Sequence, residues 1–74
     1  MQEQYYFIGE VAGKIFRDLQ NSGPQSTATL QKKLKVTDTA LFNQAIGWLC
    51  REDKVNIEKS GRTTRISLSA ASVE

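Results

Sequence analysis

The side chains able to do chemistry in this chain make a short inventory. There is one thiol, Cys50, and no histidine. A thiolate nucleophile needs a proton acceptor and a stabilising cation; Cys50 has Arg51 beside it, but Glu52 and Asp53 follow, which opposes a stabilised thiolate. It reads as a free thiol at the edge of a helix. Glu52 and Asp53 imitate the carboxylate pair of acid–base catalysis, yet adjacent residues at a helix end point in different directions. A single Cys makes no internal disulfide, and without histidine there is no imidazole base and no histidine metal site. Gly9, Gly13, Gly23, Gly47 and Gly61 match no phosphate-cradling loop. The chain is therefore expected to be non-catalytic, with no cofactor and no metal. Binding chemistry remains, in the amides of Asn43 and Gln44, the guanidinium of Arg51, and two basic groups, Lys32, Lys33, Lys35 and Lys59, Arg62, Arg65.

With 74 residues the chain has room for one domain, residues 1–74, and for one core. A domain this small either packs a few elements tightly or gains buried surface by dimerising. The net charge of +2 is too small to imply a polyanion partner by itself. Its distribution is more informative, because residues 32–74 hold eight bases against five acids and residues 1–31 two against three. Glu3, Glu10, Lys14, Arg17 and Asp18 interrupt the N-terminal apolar residues, so neither a targeting signal nor a membrane span is expected. An unpaired thiol fits a reducing cytosol, and a cytoplasmic location is expected.

These side chains must be positioned by a few elements. Ile8, Val11, Ala12, Ile15, Phe16 and Leu19 follow the spacing of an amphipathic helix. It should stop at Asn21-Ser22-Gly23-Pro24, with Gly23 as a left-handed cap and Pro24 unable to continue the ladder. A short second helix is predicted from about Ala28 to Leu34, capped by Ser26 or Thr27, with Lys32 and Lys33 toward solvent. Thr37 is the expected N-cap of a third helix reaching about Arg51–Asp53. Steps of about 100° per residue put Leu41, Phe42, Ala45 and Leu49 on its inner face, with Ile46 and Trp48 at the borders. The outer face collects Ala40, Asn43, Gln44, Gly47 and Arg51, a small and polar surface suited to approach by another molecule.

The period then changes to two. Val55 and Ile57 alternate with Asn56 and Glu58, and Ile66 and Leu68 with Arg65 and Ser67, which predicts a hairpin with its apolar side chains on one face. A Ser60-Gly61 turn would pair Val55 with Ile66 and Ile57 with Thr64; a four-residue loop over 59–62 keeps the same parity. Residues 69–74 have little to bury and are expected to fray, leaving an ordered core of about 5–68.

Helix, short helix, turn, helix and hairpin is an order that resembles the winged helix-turn-helix domain. Thr29-Leu30-Gln31-Lys32-Lys33-Leu34-Lys35-Val36-Thr37 is similar to the helix-turn-helix pattern in which Leu30, Leu34 and Val36 pack inward. Ala45-Ile46-Gly47-Trp48-Leu49-Cys50-Arg51-Glu52 is similar to a family of small stand-alone prokaryotic winged-helix proteins of unknown function. The sequence departs from the usual pattern at Gln31, where a small residue is common, and at Lys35, where glycine is. The resemblance implies an α+β fold, a three-helix winged helix-turn-helix with a C-terminal two-stranded β-hairpin wing.

It also implies a leading reading, double-stranded DNA binding in transcription regulation. Asn43 and Gln44 would read adenine edges from the major groove, Arg51 a guanine or a phosphate, and Gly47 would let the backbone come close. Lys59, Arg62 and Arg65 of the wing and Lys32, Lys33 and Lys35 would hold phosphates, with weak and salt-sensitive affinity for a monomer. The alternative is a protein-interaction or dimerisation module. Tyr5, Tyr6 and Phe7 crowd aromatics that cannot all face one core, so Tyr6, Phe7 and Trp48 are the candidate contacts, although for Trp48 a core position is the stronger expectation.

Overall fold

A computed structural model describes the backbone of residues 2–69 and the side chains of residues 7–69. The apolar stripe read from the sequence winds into α1 (Gln2–Ser22), which buries Ile8, Val11, Ala12, Ile15 and Leu19. The helix ends as expected: Gly23 adopts φ 80°, and its N–H reaches the Leu19 carbonyl at 2.9 Å. A two-residue strand, β1 (Gln25–Ser26), follows directly. Ser26 then caps α2 (Thr27–Lys33), accepting the Thr29 N–H at 3.1 Å.

The turn after α2 is closed by a left-handed residue that is not glycine. Lys35 sits at φ 59°, and its N–H donates to the Lys32 carbonyl while the Val36 N–H donates to the Gln31 carbonyl. That pair of bonds is the Schellman arrangement, so the turn is a sharp one despite the lysine. The bonds occupy carbonyls that would otherwise be orphaned at the helix end. The next helix, α3 (Thr39–Arg51), starts one residue later than Thr37 predicts: Asp38 is the N-cap, its carboxylate accepting the Leu41 N–H at 3.1 Å. Asp caps as well as Thr does and adds a charge that the helix dipole favours. The end of α3 repeats the device with Asp53 at φ 59°, whose N–H bonds to the Cys50 carbonyl, while the Lys54 N–H bonds to that of Leu49.

Phe42, Ala45, Ile46 and Leu49 of α3 close over the α1 stripe, with Leu30 of α2 sealing one side. Each of Leu30, Phe42, Ile46 and Leu49 contributes about 1.5–3 kcal/mol by leaving water. Phe16, Leu34, Val36, Leu41 and Leu68 pack partly against this cluster. Trp48 does not join it and is 42% exposed, a correction to its expected core position. It lies at the border of the inner arc, and that arc is already filled by smaller neighbours at 45, 46 and 49.

The wing is β2 (Val55–Ser60) and β3 (Thr63–Leu68), joined by Gly61-Arg62. The pairing differs from the expected register by two residues: Ser60 faces Thr63, Ile57 faces Ile66, and Val55 faces Leu68. Gly61 takes φ 62° and Arg62 does not share that sign, which suits a two-residue turn with glycine first. A shift of two preserves parity, so the apolar side chains still share one face. The sheet has a third member the sequence did not announce, since β1 pairs with β3 and the order is β1-β3-β2. Ser69, assigned to the fraying end, is instead 4% exposed; its hydroxyl donates to the Asp53 carbonyl at 2.6 Å and its N–H to that of Lys54. The remainder of that segment, 70–74, lies outside the described residues.

A non-glycine residue at positive φ costs about 1 kcal/mol or more. Lys35→Gly is therefore expected to raise the thermal midpoint by about 4–8 °C, while Lys35→Ala leaves it unchanged or lower. Thermal denaturation followed by circular dichroism checks this; a lower midpoint for the glycine variant would contradict the strain at Lys35.

Candidate nucleic-acid interface

Burial of one side of α3 dictates what its other side presents. Asn43, Gln44, Gly47 and Arg51 are all exposed, and among the described residues none of the three polar side chains has an internal hydrogen bond or ion pair. These residues recur at helical spacing opposite Phe42, Ala45 and Leu49, so one continuous strip of unsatisfied donors and acceptors results. Beside it, Trp48, Arg51 and Glu52 line a cleft of about 200 Å³. Cys50 is also exposed on this helix, and partial burial pushes its thiol upward, away from an activated thiolate.

The turn preceding α3 forms a larger open groove of about 590 Å³, lined by Ala28, Gln31, Lys32, Lys35, Val36 and Thr37. The Gln31 side-chain amide donates to the Val36 carbonyl and to Thr39 Oγ1, both at 3.0 Å, strapping the end of α2 to the start of α3. The departure from a small residue at this position is thus a structural strut. Lys32 and Lys35 stand at this groove, both exposed.

Lys33 does not stand with them. Its ammonium lies 3.0 Å from the Asp18 carboxylate of α1 and 3.4 Å from Ser22 Oγ. Asp18 also accepts the Gln25 side-chain amide at 2.8 Å, so a single carboxylate ties α1, α2 and β1 together. The hydrogen bond from Lys33 is the main cause holding the Asp18 carboxyl below its ordinary value; partial burial opposes it, and Gln25 and the Lys33 charge assist it. Nothing in the spacing of 18, 25 and 33 marks this hub, because it needs three elements to meet.

The wing also divides its cations. Side chains alternate faces along a strand, so Lys59 shares the face of Ile57 and Ile66, whereas Arg65 shares the face of Glu58, its direct partner in the register. Arg62 occupies the turn itself. Arg65 thus stands opposite Glu58 in the ladder, although among the described residues the two side chains form no ion pair. Phe7 is 48% exposed. The side chains of Tyr5 and Tyr6 lie outside the described ones.

Three helices, a helix-turn-helix crossing strapped by Gln31, and an antiparallel hairpin define a winged helix-turn-helix. The chain matches the family described as winged helix-turn-helix domain (DUF2582) over residues 1–68, and it belongs to that family. It is 36% identical over 70 residues to the uncharacterized protein MJ1608 of Methanocaldococcus jannaschii, covering 92% of this chain and 99% of the relative. Among the described residues no cluster of three His, Cys, Asp or Glu side chains is placed to hold a metal ion, and no helix is long and apolar enough to cross a membrane.

A carboxyl held low in the folded state adds stability above its unfolded value, and that stability is lost as pH falls through the folded value. The stability advantage of the wild type over Asp18→Asn should therefore be constant near neutrality and shrink below about pH 4. Denaturant titrations across that range check it. A gap that is unchanged on the acid side would show that the Lys33 pair does not act through the Asp18 charge.

Proposed function

We propose that this domain is a non-catalytic double-stranded DNA-binding module with a role in transcription regulation, working in a reducing cytosol. The observation that carries the reading is the outer side of α3, where Asn43, Gln44, Gly47 and Arg51 are exposed together and leave their hydrogen-bonding capacity unused among the described residues. Asn and Gln match the donor–acceptor pair of an adenine edge, Arg that of guanine, and Gly47 removes the side chain that would hold the backbone away. Lys32 and Lys35 supply phosphate contacts from the groove before α3, and Arg62 and Lys59 supply them from the wing. Lys33 is engaged by Asp18 in an ion pair, and Arg65 stands directly opposite Glu58 in the ladder.

The magnitude follows from the charges left. About three to five phosphate contacts give a log–log salt slope of about −3 to −4.5, and hence a weak complex for one copy. Arg51→Ala should weaken duplex binding by about 1–3 kcal/mol if it reads a base, or lower the salt slope by about one if it holds a phosphate. Lys33→Ala should leave that slope unchanged. Fluorescence anisotropy with mixed-sequence duplex at several salt concentrations, paired with amide NMR shifts, makes the measurement. Equal affinity of Arg51→Ala and wild type, or no shifts at low salt, would reject the α3 contact. It would turn the search to a protein partner at Trp48, whose 42% exposure favours that reading.

A further inference from the structure

Among the described residues Phe7, Trp48 and Ile57 are the exposed large apolar side chains, and of these Trp48 alone stands on α3. It follows Gln44 by four residues and precedes Arg51 by three, so helical steps set the three within about 60° of one another. The ring therefore borders the polar strip on its own side of the helix. Nothing in the fold requires it there. The inner arc of α3 is filled by Phe42, Ala45, Ile46 and Leu49, and the indole N–H has no hydrogen-bond partner among the described residues. Trp48 shares its cleft of about 200 Å³ with Arg51 and Glu52. The carboxylate beside the guanidinium opposes a phosphate in this cleft and leaves it suited to an uncharged edge.

We infer that Trp48 is a specificity-determining residue that packs its ring on the C5 methyl group of a thymine in the major groove. The inference rests on the reading of α3 as the duplex-facing helix, and it names the pyrimidine that this helix selects. Thymine shows an acceptor, O4, next to its methyl group, whereas cytosine shows an amino donor and no methyl. The indole matches thymine on both counts, because it offers a large apolar ring and one N–H donor. It has no acceptor for the amino group of cytosine. Gln44, one turn earlier on the same side, matches an adenine edge, and adenine in a duplex lies opposite thymine. The two side chains thus read the two members of one A·T pair or of adjacent pairs. Stacking on unpaired bases uses several exposed rings along a basic groove, and α3 exposes one ring only.

Trp48 is the single tryptophan of the chain, so its emission reports the contact directly. Anisotropy of a labelled mixed-sequence duplex, titrated with the full chain, is compared with that of the same duplex carrying uracil for every thymine. The exchange removes only the methyl groups. For one methyl taken out of water, the wild type should bind the uracil duplex about fourfold more weakly. Trp48→Ala should bind both duplexes alike while keeping the wild-type circular dichroism spectrum, and Trp48→Phe, which keeps a ring, should retain a preference for thymine. Acrylamide quenching of Trp48 should fall in the thymine complex. Equal affinity of the wild type for both duplexes, with Arg51→Ala still weakening each, would overturn the inference and leave the reading of α3 standing. A thymine preference that persists in Trp48→Ala would overturn it too, as would tighter binding to the separated strands than to duplex. Absence of duplex binding at low salt would overturn the inference and the reading together.

Discussion

Closure of the inner row of α3 over the apolar stripe of α1 is the interaction on which the rest of this small domain depends. Ile8, Val11, Ala12, Ile15 and Leu19 meet Phe42, Ala45, Ile46 and Leu49 in one cluster, and Leu30, Val55 and Ile66 are drawn onto it. A chain of 74 residues has no second core to compensate for loss of this one. The same burial rotates α3 about its axis so that its polar strip faces outward. Packing and the candidate interface are two sides of one helix, and neither can be turned without the other.

Left-handed residues set the angles between the elements. Gly23, Lys35 and Asp53 each end a helix at positive φ, and each reverses the chain within a residue or two. Only the first is a glycine. At Lys35 the conformational cost is offset by two Schellman bonds and by Gln31, which straps Val36 and Thr39 from the side. At Asp53 the chain is held by bonds to Cys50 and Leu49 and by the Ser69 hydroxyl on its carbonyl. These two turns fix how α3 leaves α2 and how the wing leaves α3.

Charge is allocated between structure and recognition. Asp38 spends its carboxylate on the N-cap of α3, and Asp18 spends its own on Lys33 and Gln25. The first satisfies a backbone N–H that the start of α3 would otherwise leave unpaired. The second engages Lys33 in an ion pair while that side chain stays exposed. What remains for an external polyanion is a sparse set spread over the α2 groove, α3 and the wing tip, which is consistent with weak and salt-dependent attraction.

Much of this was legible in the sequence because it is local. Helical spacing in 8–19, cap and breaker residues at 21–24 and alternation in 55–58 and 65–68 depend only on near neighbours, and they determined the three helices, the hairpin and the outward strip Asn43, Gln44, Gly47 and Arg51. The hairpin parity survived a two-residue error in register for the same reason, since a side-chain period of two is blind to an even shift. Tertiary structure alone decided the rest. Pairing of Gln25 with Ile66, the Asp18–Lys33 contact and the burial of Ser69 each join residues far apart in the chain, and no local pattern encodes them. Trp48 and Ile57 are apolar and correctly spaced for burial, yet both are left in solvent, because burial depends on whether another element arrives to cover the position. The sequence sets which face each residue takes; only the assembled fold sets whether that face is covered.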